Sequence, residues 1–301
     1  MPVDAVLIAG PTASGKSAAA LALAAKMGGA IINADSMQVY AELRILTARP
    51  TSEDERRAPH FIYGHVGASE RYSAGRYQDE VASALNDVRE RRLLPIFVGG
   101  TGLYFAVLTE GLSPIPAVPA EVRALNRQRF EAIGRDAFFA DLAARDTASA
   151  AKLRPSDTQR LLRAADVLAA TGRPLSAWQT MRGESALGGL RLARLVLSPP
   201  REVLLQRIDA RLEAMAEHGV LDEVRALTGL DPSLPAAKAL GLPQFARHLA
   251  GECDFSTALD EVRLATRQYA KRQQTWFRNR MKDWKWLHDA DISNLITQIS
   301  L

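Results

Sequence analysis

An α/β fold, a parallel sheet interrupted by an all-helical insertion, is what this 301-residue sequence predicts. Three observations predict it. Residues 10–17, GPTASGKS, satisfy G-x-x-x-x-G-K-[ST], with the apolar, strand-like run Val3–Ala9 before them and the Ala/Leu-rich stretch Ser17–Met27 after them. Strand, glycine loop and helix is the context in which this motif cradles phosphate. Short apolar runs recur at 30–34, 95–98 and 191–198, separated by helical patterns, the alternation that builds a parallel sheet. Finally, proline density rises over Ser113–Pro119, and the Ala-, Leu- and Arg-rich residues from 120 to about 185 keep helical spacing with no clear strand. The division expected is a P-loop NTPase-like core, 1–112 with 191–301, and a helical domain inserted at 113–190.

In the loop, Gly10, Pro11, Thr12, Ala13, Ser14 and Gly15, the glycines let backbone N–H groups turn inward around phosphate oxygens, and the following helix points its positive end at the same place. Lys16 adds a mobile point charge and the Ser17 hydroxyl is suited to ligate Mg2+. A di- or triphosphate is implied, without saying which. The second strand, Ala30–Ala34, ends at Asp35-Ser36. Ligands of open α/β sheets sit beyond the carboxyl ends of the strands, so Asp35 falls on the edge that carries the loop. Position alone serves equally for a helix N-cap. Residues 41–80 mix polar and aromatic side chains, and Tyr72-Ser73-Ala74 precedes a helical stretch to about Arg92. Pro95–Val98 is a buried strand ending in Gly99-Gly100-Thr101-Gly102. Many NTPases of this loop class place a Mg2+-holding acid at such a strand end; its absence weakens the case for phosphoryl transfer. Thr101 either bonds a ligand or caps the helix starting near Leu103.

In the insertion, Pro155-Ser156-Asp157 signals a helix start, placing Arg160 and Arg163 on one face, a binding stripe or a solvated one. Arg191–Ser198 returns to strand. Glu202–Met215 reads as an amphipathic helix with Arg207 and Arg211 at i, i+4, Asp222–Leu227 as helix, and Gly229–Pro243, with three prolines, as loop. A long helix is expected over Asp260–Asp283. Arg263, Arg267 and Lys271 form an i, i+4 ladder along it, continued by Arg278, with Tyr269, Trp276, Phe277, Trp284 and Trp286 interleaved. Cations meet phosphates and rings stack on splayed bases; alternatively the rings pack on the core.

Hydrophobic content of 47% with 24% charged residues is ordinary globular composition. There is no apolar run of membrane-spanning length and no signal-peptide pattern, and the one cysteine, Cys253, excludes an internal disulfide. A cytoplasmic monomer is expected. The net charge of +4 is modest, but residues 263–285 hold eight Lys/Arg against the single acid Asp283, which suggests a polyanionic partner.

Ten motifs in order resemble the bacterial tRNA dimethylallyltransferases, also called tRNA isopentenyltransferases, over nearly the whole chain: GPTASGKS at 10–17, ADSMQVY at 34–40, TARP at 47–50, PH at 59–60, YSA at 72–74, PIFVGGTGLY at 95–104, GLSPIP at 111–116, PSDTQRLLRA at 155–164, LDEVRAL at 221–227 and TRQYAKRQQTWFR at 266–278. The resemblance implies transfer of a dimethylallyl group from dimethylallyl diphosphate to N6 of the adenosine at tRNA position 37, 3′ of the anticodon, with Mg2+. It also implies that residues 10–17 bind the diphosphate, that Asp35 is the general base, that Thr101 lies by the reacting centre, and that Arg211, with Arg207 as second choice, neutralises the leaving diphosphate. Contacts with the tRNA anticodon arm would come from Asp35, Ser36, Met37, Gln38, Thr101, Arg123, Gln159, Arg160, Leu161, Leu162, Arg163, Lys271, Arg272, Gln273, Gln274, Thr275, Trp276, Phe277 and Arg278. The chain departs from the family pattern at Phe61, where His is usual, at Ser156, where Asn is usual, and at Gly241-Leu242-Pro243-Gln244, which lacks the usual aromatic and basic residues and is given no tRNA contact.

Three other functions share parts of this pattern. A P-loop kinase of a nucleotide or small molecule would share the loop and a helical lid but would want the missing acid. A prenyltransferase of free adenine nucleotides would have little use for the basic helix. A nucleic-acid-binding module with a vestigial loop would bind no diphosphate.

Overall fold

The computed structural model describes residues 3–289 apart from Arg182, together with residue 297. Two compact units are present, Met1–Thr109 with Ala186–Leu301, and Glu110–Ser185. The cut falls a few residues earlier than the expected 113–190. The chain is already back on the first unit at Leu187, which is buried and donates its N–H to Leu108 O.

The first unit is built on a six-stranded, all-parallel sheet of order β3-β2-β4-β1-β5-β6. The strands are β1 Ala5–Ala9, β2 Gly29–Asn33, β3 His60–Phe61, β4 Leu94–Gly99, β5 Leu192–Leu197 and β6 Lys285–Leu287. All five residues of β1 are fully buried, as a strand covered on both faces must be, hence its continuous apolar run. Helices α1 Lys16–Met27, α2 Ser52–Arg57, α3 Ala74–Glu90 and α4 Gly102–Glu110 belong to the first segment. Gly28, at φ 66°, ends α1 in the left-handed conformation that glycine adopts without penalty. Ser73 caps α3 by accepting from Arg76 N–H.

The second unit holds α5 Ala120–Ile133, α6 Arg135–Arg145, α7 Thr147–Ala150, α8 Thr158–Thr171 and α9 Leu175–Trp178, with no strand among the described residues. Its core is Phe138, Leu142, Leu161, Ala164 and Ala165. Asp157 caps α8, the helix start that the Pro-Ser-Asp signal predicts.

Back in the first unit come α10 Arg201–Glu217, α11 Val220–Ala226, α12 Leu242–Leu249 and α13 Phe255–Arg280. The long helix begins five residues before the expected Asp260, because Asp254 caps it by accepting from Thr257 N–H and Ala258 and Val262 extend its buried face. The segment read as loop contains a short 3-10 turn at Ala236–Lys238, and α12 starts inside its last residues.

Candidate active site

The carboxyl ends of β1, β2 and β4 are stitched together: Gly10 N–H donates to Gly99 O, Ala34 N–H to Val98 O at 2.8 Å, and Thr101 N–H to Ala34 O. The glycines after β4 are there for close approach. A Cβ on Gly99 would stand 2.0 Å from Ala34 O, one on Gly100 2.3 Å from Gln273 Nε2, and one on Gly102 2.3 Å from the Trp276 ring. Helix α13 thus rests directly on this edge.

Within the phosphate loop, Ala13 and Gly15 have φ of 62° and 91°. Backbone of alternating hand turns successive N–H groups into one concavity, an anion nest. Lys16 Nζ donates to Pro11 O at 3.1 Å. Burial pushes its ammonium down to about 8, opposed by the negative charge of Asp35. Ser14 Oγ is buried in the loop with no partner among the described residues. Both arginines of α10 reach the loop: Arg211 Nη1 donates to Thr12 Oγ1 at 2.9 Å, and Arg207 Nη1 to Ser14 O at 2.9 Å. Arg211 also donates to Leu46 O at 3.1 Å; burial lowers its guanidinium to about 10, again against the pull of Asp35.

Asp35 caps no helix. Its Oδ1 accepts from Met37 N–H at 3.0 Å, closing a local turn. Its backbone is held by Asn33, fully buried, whose Oδ1 accepts from Asp35 N–H and whose Nδ2 donates to Asp35 O and Ile62 O. Thr101 does not cap its helix either: its hydroxyl is engaged with Ser36.

Two cavities meet at Arg211, which lines both. One of about 350 Å³ is lined by Thr12, Asp35, Ser36, Met37, Leu46, Thr47, Arg211, Lys238, Leu240, Tyr269 and Arg272. The other, of about 680 Å³, runs beside Ser17, Ala18 and Leu21 of α1, the 44–51 loop, Ala214 and Met215 of α10, and His218 just after it. Burial and the charge of Asp35 push the Tyr269 phenol up, so it stays a neutral donor beside the carboxylate. Sequence reasoning singled out neither Asn33 nor Lys238, and took Tyr269 only as one ring among several.

The IPP transferase family model matches residues 38–280 and the isopentenyl transferase model residues 3–63. The chain belongs to the IPP transferase family. Among its relatives, the tRNA dimethylallyltransferase of Parvibaculum lavamentivorans is 53% identical over 283 residues, 93% of this chain and 90% of that protein. The tRNA dimethylallyltransferase of Bradyrhizobium sp. strain ORS 278 is 49% identical over 299 residues, 99% of this chain and 97% of that protein. The full-length tRNA isopentenylpyrophosphate transferase of Bacillus halodurans matches with a TM-score of 0.67 and 32% identity, covering 98% of this chain and 94% of that one. A eukaryotic dimethylallyltransferase acting on tRNA matches with a TM-score of 0.81 and 29% identity, over 98% of this chain and 76% of that one.

Several residues that the IPP transferase motifs mark for RNA contact face inward. Leu161 is fully buried in the insertion core and Leu162 packs against it. Phe277 is fully buried, and Gln273 is 6% exposed with both ends of its amide bonded inside the protein. Gln274 donates to Ser198 Oγ, and Gln38 to Thr47 O and Ala48 O. These side chains are taken by the fold. Arg123, Gln159, Arg160, Arg163, Lys271, Arg272, Thr275 and Arg278 are exposed, and Trp276 is half-buried. The basic ladder is shorter than its spacing suggests, because Arg263 and Arg267 both pair with Asp209 of α10. Two of the five rings, Phe277 and Trp284, are buried, Trp284 against Phe105, and Tyr269, Trp276 and Trp286 are half-buried.

Proposed function

We propose that this chain transfers a dimethylallyl group from dimethylallyl diphosphate to N6 of adenosine 37 of tRNA, releasing diphosphate. The observation that carries this reading is the juxtaposition of an anion nest, with Lys16 and Arg211 on it, and a carboxylate at the next strand end. An allylic diphosphate ionises because its cation is delocalised, and the barrier lies in the charge left on the departing oxygens. Inward N–H groups, Lys16 and Arg211 meet that charge, and none of them needs phosphoryl transfer. As the allylic C–O bond breaks, the new C–N bond forms to the adenine amine, whose lone pair is otherwise drawn into the ring. Asp35 takes the proton that nitrogen loses, a contribution of about 10²–10⁴-fold for a positioned base. The target base must leave the anticodon stack to reach Asp35, and the cavity beside Asp35, walled by Met37, Leu46, Leu240 and Tyr269, is where it would sit.

Mg2+ fits the residues present only in part-share. No cluster of three His, Cys, Asp or Glu suited to a metal occurs among the described residues. Ser17, exposed on the larger cavity, would be the chain's own ligand, with diphosphate oxygens and water completing the shell. The ion would add positive charge at the leaving group. The exposed cations Lys271, Arg272 and Arg278 of α13, and Arg123, Arg160 and Arg163 of the second unit, are suited to phosphates of the anticodon arm. The kinase reading is not favoured: β4 ends in Gly99, where a Cβ would meet Ala34 O at 2.0 Å, and the next residue, Gly100, is closed by Gln273, leaving neither position for a metal-holding acid.

The deciding experiment incubates the protein with labelled dimethylallyl diphosphate, Mg2+ and bulk tRNA, followed by nucleoside analysis. Label on N6 of the adenosine 3′ of the anticodon is expected. Label only on free AMP, or phosphate transfer from ATP, would overturn the reading.

A further inference from the structure

We propose that Gln273 is a positioning residue that holds the leaving-group side and the base side of the site in one frame, and that it makes no contact with RNA. Its Oε1 accepts from Thr12 N–H at 2.9 Å and its Nε2 donates to Gly100 O at 2.9 Å. One partner only donates and the other only accepts, so the amide has one orientation. From Thr12 the chain of bonds continues through its hydroxyl to Arg211, and from Arg211 to Leu46 O. From Gly100 it passes along the backbone to Thr101, whose hydroxyl holds Ser36, the neighbour of Asp35. A Cβ on Gly100 would lie 2.3 Å from Gln273 Nε2 and 3.3 Å from Asp35 Oδ2. The amide and the catalytic carboxylate therefore pack against the same glycine.

This arrangement has a consequence for the loop. The Thr12 N–H is committed to Gln273 and the Ser14 N–H to Pro11 O, which leaves those of Ala13, Gly15 and Lys16 to face an anion. The arginine that meets the leaving diphosphate and the carboxylate that receives the proton are then spaced by a single buried side chain. Misplacement of reacting groups by about 1 Å costs on the order of 10²-fold in rate, so the spacing matters even though Gln273 touches neither substrate. The same helix presents Lys271 and Arg272 to solvent, so α13 faces outward with charge and inward with this amide.

The inference rests on the transfer reaction proposed above, and its test includes a readout independent of transfer. The variant is Gln273→Met, which keeps the length and volume of the side chain and removes both hydrogen bonds. At saturating tRNA and dimethylallyl diphosphate, its single-turnover rate is expected to fall about 10–100-fold, with tRNA Kd near wild type and a lowered thermal midpoint, since Thr12 N–H and Gly100 O lose their partner. Affinity for inorganic diphosphate should drop several-fold. Thr12→Val cuts the relay at its other arm, and the double variant should be no slower than the worse single one, since both sever one path. If Gln273→Met does not fold, Thr12→Val carries the rate and diphosphate measurements alone. A weakened tRNA Kd with a normal saturated rate would make Gln273 an RNA contact and overturn the proposal. Unchanged rate and diphosphate affinity, or losses that multiply in the double variant, would overturn it as well. Failure of the wild-type protein to prenylate tRNA would instead strike the functional reading, leaving the diphosphate measurement to decide on Gln273.

Discussion

Thr101 Oγ1 accepts from the Ser36 backbone N–H at 2.9 Å and donates to Ser36 Oγ at 3.2 Å. Ser36 follows Asp35, so this hydroxyl pins one side of the carboxylate's backbone while Asn33 pins the other. Thr101→Val keeps the shape and loses both bonds. Single turnover at saturation should slow about 10-fold, the scale expected when a reacting group loses its support, with tRNA affinity within about twofold. Thr101→Ser should recover most of the rate. An unaffected Thr101→Val rate would place the hydroxyl outside the catalytic frame.

Asp35 itself gives a larger effect. Asp35→Ala removes the proposed proton acceptor, and single-turnover rate should fall by about 10²–10⁴-fold. The cations on α13 remain in place, so the variant should still bind tRNA. Near-normal turnover would remove Asp35 as the base.

Lys16 gives a pH prediction. Burial depresses its ammonium from the ordinary 10.5 to about 8. Between those values the unfolded chain holds a proton that the folded protein has lost, so this residue makes the unliganded protein more stable as pH rises from about 8 to 10.5. A bound diphosphate reverses the shift by favouring the charged form. Diphosphate affinity should therefore be flat below about pH 8 and decline by up to tenfold per unit above it, with proton uptake on binding near pH 9. Calorimetry in buffers of different ionisation enthalpy measures that uptake. Subtracting the Lys16→Arg profile removes the ligand's own titration; identical profiles would contradict the assignment.

Much of this site is legible in the chain, because the loop, the strand ends and the two α10 arginines are marked by local rules. What is not legible is direction. Thr266, Ala270, Gln273 and Phe277 all lie on the buried face of α13, at helical spacings of four, three and four. Two of the four are polar, so the stripe does not read as apolar. The polar face is needed because Gln273 bonds to loop atoms more than 170 positions away. Likewise Gly100 and Gly102 read as loop glycines, while their actual constraint is the approach of Gln273 and Trp276. The ladder at 263 and 267 fails for the same reason: its counter-charge, Asp209, comes from another helix. Matching motifs transfer a position in the chain, not the side to which its side chain turns.

Lys271 of that ladder and its neighbour Arg272 are exposed, and Arg272 lines the cavity beside Asp35 and lies over the Tyr269 ring. Replacing both with Gln should weaken tRNA binding and reduce the slope of log Kd against log salt by about one per charge lost. Dimethylallyl diphosphate affinity should hold. Filter binding from low to moderate salt measures the slope, and an unchanged slope would put these cations outside the interface.

A carboxylate far from the chemistry also acts on the site. Glu223 of α11 accepts three backbone N–H groups, from Arg44 at 2.9 Å, Ile45 at 2.6 Å and Leu46 at 2.9 Å. It thereby turns Leu46 O toward Arg211 Nη2. Glu223→Gln is nearly isosteric but replaces one acceptor oxygen with an N–H2 donor, so at least one of the three N–H groups loses its partner, at a cost of about 1–3 kcal/mol. The 44–46 segment should loosen, and Arg211 would lose the carbonyl that fixes one arm of its fork while keeping Thr12. Hydrogen exchange at the amides of 44–46 should accelerate, and diphosphate affinity should fall several-fold with tRNA Kd unchanged. Faster exchange without loss of diphosphate affinity would show that Thr12 alone is enough to aim the arginine.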